Sequence, residues 1–247
     1  MDNIIKISLG LLIVILIAFT SMVAYHGFVE SAYLNSLSST YSYSCTITTD
    51  SALSNVTFFI PVPADPLGNS PIVAQFSAHA LAGLPGDWTV TLYDTGKATM
   101  ARITTPVIRP PGGTSPANPF TITLLTEMQS DMLIDTRDPI RNSALFHPVR
   151  ELRQVACPPA SSPVQESPQC YHYSTSLYAD YEAAPDASVN ITSTITGRNS
   201  WNIFEPGSNE YTSVTSLLIS GSHDGWATMK GTLTSGIGTY DTPLPST

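Results

Sequence analysis

The stretch GLPGDWTVTLYDTGKATMARI, residues 83–103, decides the fold class that this sequence predicts. It opens on a turn signal rich in Gly and Pro, after which Trp88, Val90 and Leu92 alternate with Thr and Tyr. Side chains of a β-strand point alternately to opposite faces, so this alternation predicts a strand with one buried face. A second turn signal, DTGK at residues 94–97, precedes renewed strand character, and the whole stretch therefore predicts a β-hairpin.

Similar patterns recur along the rest of the chain. Abundant Thr, Ser, Tyr and Pro, with little Lys and Glu, favour half-buried strands over a helical bundle. We expect about ten strands, arranged as an all-β antiparallel β-sandwich. This extracytoplasmic domain would cover residues 41–240, with 241–247 as a tail.

A faint internal echo raises the question of two similar β-units. YSYS at residues 41–44 precedes NVT at 55–57, and YHYS at 171–174 precedes NIT at 190–192. The Pro-rich stretch 106–119 is a possible internal division between two such units. Short Thr-rich strands also resemble one another by composition, so one or two β-domains remain alternatives.

The N-terminus predicts one transmembrane helix. Residues 4–25 read IIKISLGLLIVILIAFTSMVAY, and the part from 7 to 24 carries no charge. As a helix, that uncharged part is about 27 Å long, which matches the hydrocarbon core of a bilayer. Because Lys6 precedes it and Glu30 follows it, the positive-inside rule predicts a cytoplasmic N-terminus and an extracytoplasmic domain.

This segment has two interpretations, a membrane anchor and a cleaved signal peptide. The best small-residue site, near Ala24, has the bulky Met22 where a small residue is preferred, and the apolar run exceeds the usual signal length. We therefore predict an anchor at residues 1–26, followed by a polar stalk at 27–40. The bilayer, contacted through residues 4–25, is then the first predicted partner.

Charge excludes one class of function. The chain has 19 acidic and 10 basic residues, a net charge of −9, and only 12% of its residues are charged. A nucleic-acid-binding protein needs a basic surface, so no nucleic acid is predicted as a partner. The surface of the domain must consist largely of Ser, Thr and Asn.

Two sequons and three cysteines carry the modifications that we predict. Asn55 and Asn190 each begin an Asn-x-Thr sequon on the polar face of a predicted strand, although a Thr-rich chain also produces sequons by chance. Cys157 and Cys170 bracket a Pro-rich loop, which an oxidising exterior would close by a disulfide. Cys45 is left over on a predicted strand and is predicted to be a buried thiol rather than a nucleophile.

Catalytic and metal-binding motifs are not evident. The five histidines have no HExxH motif and no pair at i, i+4, and His223 begins His-Asp-Gly, in which Asp-Gly is typical of a hairpin turn. The sequence has no nucleophile elbow, phosphate-binding glycine loop or dinucleotide fingerprint. It therefore predicts no catalytic residue, no metal site and no cofactor. The histidines are His26, His79, His147, His172 and His223.

An acidic cluster offers a weaker possibility. Asp131, Asp135 and Asp138 lie in DMLIDTRDP, and carboxylates are ligands that Ca²⁺ prefers. Their spacing lacks the Asp-x-Asp-x-Asp-Gly loop, and Arg137 and Arg141 would partly neutralise the site. Ion pairing or helix capping is the interpretation that we prefer.

Five strings carry a resemblance to a known class of protein. Together they resemble uncharacterised archaeal extracytoplasmic proteins with a single N-terminal transmembrane helix. The resemblance covers most of the chain after Tyr41; it implies a cell-surface setting and neither an activity nor site residues. The strings are NVTFFIPVP (55–63), GLPGDWTVTLYDTGKATMARI (83–103), IDTRDP (134–139), YADYEAAPDASVNITSTITGRNSW (178–201) and HDGWATMKG (223–231).

These observations favour a membrane-anchored, non-catalytic binding or structural module of the cell envelope. Its partner would be an envelope protein or a glycan, for which Trp88, Trp201 and Trp226 are candidate contact residues, although aromatic residues more often serve the core. One alternative is an extracytoplasmic hydrolase whose acidic residues meet only in the fold. Another is a subunit of a membrane complex, which would expose an apolar patch.

Overall fold

A computed structural model describes residues 2–78, 81–96, 98–158 and 168–240. His79, Lys97, most of the Pro-rich loop between the paired cysteines and the tail 241–247 lie outside the described residues. The helices are α1 (Asp2–Ser36), α2 (Val73–Ser77) and α3 (Pro139–Asn142). The strands are β1 (Ser38–Thr49), β2 (Leu53–Pro61), β3 (Pro63–Ala64), β4 (Thr89–Asp94), β5 (Thr99–Ile108), β6 (Phe120–Ser130), β7 (Leu145–Phe146), β8 (Arg150–Val155), β9 (Gln169–Glu182), β10 (Ser188–Asn202), β11 (Pro206–Ser220) and β12 (His223–Gly238).

Ten of the strands form one antiparallel sheet, so the all-β prediction is confirmed. Its order is β4-β5-β2-β9-β12-β11-β10-β1-β6, and β8 pairs with β9. In a flat sheet, β1 and β2 would lie about 24 Å apart, five strand spacings of about 4.8 Å. The link between them, residues 50–52, can span at most about 14 Å. The sheet must therefore curl over until β1 faces β2.

Two layers result, which we call the front layer (β4-β5-β2-β9-β12, with β8) and the back layer (β11-β10-β1-β6). The β11–β12 hairpin forms the corner between the layers. Residues Asn209–Ser216 of β11 pair with Lys230–Gly238 of β12, whereas the parts of the two strands nearer their link are not paired with each other. At the opposite edges, Ala82, just before β4, exchanges two backbone hydrogen bonds of 2.8 and 2.9 Å with Leu125 of β6. The predicted hairpin is β4 and β5 of the front layer.

The connectivity repeats itself. The first unit consists of β1, β2, β5 and β6, and the second of β9, β10, β11 and β12. In each unit the first strand pairs with the fourth and the second with the third: β1 with β6 and β2 with β5, then β9 with β12 and β10 with β11. Between the units, β1 pairs with β10 and β2 pairs with β9. The two halves of the sequence echo lie in corresponding strands, β1 and β9, then β2 and β10. The stretch 109–119 joins β5 to β6 within the first unit, so both units share one core.

The space between the layers holds the core. Tyr43 and Ile47 of β1 and Ile191 of β10 are almost fully buried, because alternate residues of each strand point inward. Full burial of one such aliphatic side chain contributes about 1.5–3 kcal/mol. Cys45 is buried among them as predicted, and burial raises the pKa of its thiol to about 11. It is therefore neutral at physiological pH and a poor nucleophile.

Helix α1 continues without a break from the apolar segment to the sandwich. The predicted stalk, 27–40, is helical up to Ser36 and becomes β1 at Ser38. Tyr33 is buried against Trp201 of β10, with ring centroids 5.6 Å apart, and the backbone N–H of Asn202 donates to Ser36 Oγ at 3.0 Å. The last turns of α1 are thus docked on the domain. Among the described residues, α1 is the one helix long and apolar enough to cross a membrane, a test that a signal sequence also passes.

We call the end of the sandwich that carries α1 the helix end, and the end with the links 50–52, 183–187 and 221–222 the far end. At the helix end, the predicted Cys157–Cys170 disulfide is present, with Cα atoms 5.2 Å apart. It ties the start of β9 to the residues after β8. Closing a loop of this length contributes about 3 kcal/mol to stability.

The acidic cluster has a structural role, as predicted. Asp138 forms a 3.1 Å ion pair with Arg141. Asp135 accepts hydrogen bonds from the backbone N–H of Asp138 at 2.9 Å and from the amide of Asn142 at 3.1 Å. These contacts hold the short helix α3, so the carboxylates of Asp135 and Asp138 already have protein partners.

Candidate ligand-binding groove

Four aromatic rings form a continuous row on the outer face of the front layer. They belong to Tyr93 of β4, Phe59 of β2, Tyr178 of β9 and Trp226 of β12. Successive ring centroids are 5.5, 5.5 and 5.7 Å apart, and each pair meets edge to face. Trp226 is 59% exposed and Tyr93 is 54% exposed. The row is therefore open to solvent.

Strand register produces this row. Tyr178 lies directly opposite Phe59 on one side and Trp226 on the other. Phe58, the neighbour of Phe59, points inward and is fully buried, so Phe59 must point outward. Cross-strand neighbours on one face lie within about 5.5 Å at Cβ, close enough for rings to touch.

A polar row runs beside the aromatic one, two residues nearer the far end. Thr57 lies opposite Asp180, and Asp180 lies opposite Asp224. The hydroxyl of Tyr178 donates to Asp224 at 3.1 Å, and this hydrogen bond raises the pKa of Tyr178. It also orients the tyrosine ring within the aromatic row.

The front layer also supplies a cation. Arg102 of β5 lies opposite Phe59, with its guanidinium carbon 5.8 Å from the centroid of that ring. This cation–π contact contributes about 0.5–1 kcal/mol at an exposed site.

The two rows enclose a groove. Its volume is about 410 Å³, and its lining includes all four rings together with Arg102 and Asp180. A second hollow of about 270 Å³ lies beyond Trp226 and is lined in part by Met100, Arg150 and Ser176. Trp226 lines both hollows, and the larger one, which we call the groove, has the usual size of a small-molecule site.

The chemistry of the groove suits a neutral, polar ligand with apolar faces. The lining of the two hollows carries two cations, Arg102 and Arg150, and one anion, Asp180. A second anion, Asp224, lies opposite Asp180 on the neighbouring strand, so the surface has no dominant sign of charge. The rings offer apolar surface, while the charged groups and hydroxyls offer hydrogen bonds. Within residues 2–78, 81–96, 98–158 and 168–240, no group of three or more His, Cys, Asp or Glu side chains is placed to hold a metal ion.

The structure divides the three tryptophans. Trp88 and Trp201 are buried, whereas Trp226 lies in the groove. Asp224, which the sequence placed in a turn, instead belongs to β12, since the β11–β12 link is only residues 221–222. Sequence reasoning did not single out Phe59, Tyr178 or Arg102. The available signal was weak: each is a large side chain on the outward phase of a strand.

Both sequon asparagines are exposed and lie toward the far end. Asn55 is near the start of β2, two residues before Thr57 of the polar row, and Asn190 is near the start of β10. Asn55 has a φ of 55°, a left-handed conformation that Asn tolerates better than most residues. A glycan on Asn55 would project beside the groove.

Comparisons with protein-family models, with curated proteins and with solved structures found no match to this chain. The groove must therefore be interpreted from its own geometry.

Proposed function

We propose that this protein is a membrane-anchored, extracytoplasmic binding module that holds neutral glycans in the groove of its front layer. Sugar rings have apolar C–H faces, which stack on aromatic rings, and a rim of hydroxyls, which pair with carboxylates and guanidinium groups. The row from Tyr93 to Trp226 offers the first kind of contact. Asp180, Asp224 and Arg102 offer the second.

The exposed aromatic row is the single observation that carries this proposal. Leaving aromatic surface in water is unfavourable by about 25 cal/mol per Å². A contiguous patch of this kind marks a binding surface more often than a single exposed apolar residue does. The polar row beside it favours a polar ligand over an apolar protein partner.

The location belongs to the same proposal. Helix α1 is apolar and exposed over residues 7–24, as a bilayer-spanning anchor would be. The Cys157–Cys170 disulfide supports an oxidising compartment, and the far-end position of Asn55 and Asn190 would keep glycans away from the lipid. These features support the cell-surface setting that the sequence resemblance implies.

Glycan binding is tested with the full chain in detergent micelles on an array of neutral and acidic oligosaccharides. We expect retention of neutral oligosaccharides and a change in tryptophan fluorescence on titration, because Trp226 is the exposed indole in the groove. Trp226→Ala should abolish both signals. Leu218→Ala, which truncates an exposed apolar residue of the back layer, is the matched control and should bind like the wild type.

Two further outcomes bear on this test. Asn55→Gln removes one sequon. If this variant bound oligosaccharides and the wild type did not, a glycan attached to Asn55 would have occupied the groove of the wild type. Absence of binding by both the wild type and Asn55→Gln would overturn the proposal.

One observation favours a second candidate, a glycoside hydrolase. Asp180 and Asp224 lie opposite each other on the groove face, and hydrolysis of a glycosidic bond needs two carboxyl groups. The release of reducing ends from a retained oligosaccharide, lost in Asp180→Asn while binding persists, would establish this function. If the oligosaccharide were retained and no reducing ends were released, the binding module would be the function that the test supports.

A further inference from the structure

The helix end of the sandwich carries exposed apolar side chains that the groove does not use. Phe204, in the link between β10 and β11, is 66% exposed. Met132, in the residues after β6, is 78% exposed, and its neighbour Leu133 is also exposed. These three residues, which we call the apolar rim, lie outside the hydrophobic core.

The β10–β11 link runs back along α1 toward the apolar segment. Tyr33 contacts Trp201, whereas Phe28 and Tyr25 contact Phe204, each with ring centroids 6.4 Å apart. The ring of Phe204 stacks on that of Tyr25, with an interplanar angle of 9°. From Tyr33 back to Tyr25 the helix descends about 12 Å. The tip of the hairpin thus points along α1 toward its N-terminal part.

The level of Tyr25 locates Phe204 relative to a bilayer. The uncharged stretch 7–24 is about 27 Å long as a helix, close to the roughly 30 Å hydrocarbon core. With that stretch in the core, Tyr25 lies at the outer boundary, where aromatic side chains are favourable. Because Phe204 stacks on Tyr25, it must lie at the same level.

The other rim residues project from the same end. Ser130, the last residue of β6, lies close to the first residues of β1, since its partner in the ladder is Ser39. Met132 and Leu133 lie in the short turn that follows, about level with the start of β1, because by Ile134 the chain again contacts β10, through its backbone N–H to Asn199 Oδ1 at 3.1 Å. They therefore lie nearer the sheet than Phe204 does. Acidic neighbours, Asp131 and Glu205, flank the rim and would not be attracted to anionic lipid. Any contact with lipid must therefore be apolar.

We propose that the apolar rim inserts into the interfacial region of the outer leaflet and forms a second lipid contact beside the helix. This inference rests on the anchor in the proposed function. Together, α1 and the rim fix how the sandwich stands on the membrane. Trp226 is 12 residues along β12 from Gly238 at the helix end, so the groove is held up to about 40 Å from that end. Its ligands would then be sampled well clear of the lipid.

The test uses the full chain in nanodiscs of phosphatidylcholine and phosphatidylglycerol, with a nitroxide spin label on single introduced cysteines. Cys45 is buried and Cys157 is disulfide-bonded, so a label reacts at the new site. Labels are placed in Phe204→Cys and Met132→Cys. Leu218→Cys, exposed at the far end, is the control in water, and Leu16→Cys is the control in the helix.

Collision with oxygen, which concentrates in lipid, is compared with collision with a water-soluble nickel complex. We expect the oxygen-to-nickel ratio at 204 to be several-fold higher than at 218 and lower than at 16, with an intermediate value at 132, which lies nearer the sheet and hence in the headgroup region. The inference would be overturned, and the anchor left intact, if the labels at 204 and 132 gave the same ratio as the label at 218 while the label at 16 reported lipid. A water-like ratio at 16 would overturn the anchor, and the inference with it. Glycan binding by the same samples is read separately, so neither outcome depends on the groove.

Discussion

The two layers share a strand connectivity, but their outer faces carry different side chains. On the back layer, Thr residues face solvent and pair across strands, for example Thr46 with Thr123 at 3.3 Å and Thr196 with Thr212 at 3.2 Å between hydroxyl oxygens. On the front layer, Phe59, Tyr178 and other aromatic residues occupy comparable outward positions. A Thr-covered face is therefore sufficient for this topology. An outer face of this topology can thus form without an aromatic row, which supports the binding role proposed for the row of the front layer.

The inner face should carry the largest effect on stability. Ile191→Ala, in the buried face of β10, should lower the free energy of unfolding by about 2–5 kcal/mol, because it leaves a cavity. Thr194→Ala, on the outer face of the same strand, should change it by less than about 0.5 kcal/mol. Chemical denaturation followed by circular dichroism measures both. An equal loss of unfolding free energy in the two variants would contradict the view that the inner face is structural and the outer face neutral.

The helix-end half of the front layer depends on its disulfide. Cys157→Ser combined with Cys170→Ser should lower the free energy of unfolding by about 3 kcal/mol, because the unfolded chain regains the freedom of the closed loop. Hydrogen exchange should show earlier loss of protection in β8 and the start of β9 than in β10. Uniform loss across both layers would show that the disulfide acts on the whole sandwich.

The tyrosine hydroxyl of the aromatic row should have a smaller effect. Tyr178→Phe keeps the ring but removes the 3.1 Å hydrogen bond to Asp224. We expect glycan affinity to fall about three- to tenfold, on the order of one net hydrogen bond, because the ring loses the contact that orients it for stacking on the sugar. Titration calorimetry at pH 7 measures this change. An unchanged affinity would assign binding to the rings alone.

The smallest effect is expected from the cation. Arg102→Lys keeps the charge but removes the planar group that lies over Phe59 and offers several N–H donors at fixed angles. Affinity should fall about two- to fivefold, because the ammonium group of Lys cannot offer those donors to sugar hydroxyls in the same geometry. Arg198→Lys, on the outer face of the back layer, is the control and should leave affinity unchanged. Equal effects of the two variants would point to a general charge effect rather than a site.

Several elements could be predicted from the sequence. The hairpin of residues 83–103 follows from local alternation, and the disulfide from two cysteines that bracket a Pro-rich loop. The buried Cys45 follows from its place on a predicted strand with no His or basic residue near it in sequence. The error at Asp224 is instructive, because Asp-Gly favours a turn locally. In the structure, His223–Gly225 pairs with Ala179–Tyr181 of β9, and these ladder hydrogen bonds extend β12 through the dipeptide. Tertiary pairing overrode a local preference.

The sequence by itself determined that this chain has one apolar N-terminal helix and strands with one buried face, because hydropathy and a period of two are properties of neighbouring residues. Only the tertiary structure decided which outward residues meet. Phe59, Tyr178 and Trp226 come from strands far apart in the chain, and only the sheet order β2-β9-β12 brings their rings together. In the same way, Phe204 contacts Tyr25 because the β10–β11 link runs back along α1. Both proposed surfaces depend on contacts between distant residues, which local patterns do not encode.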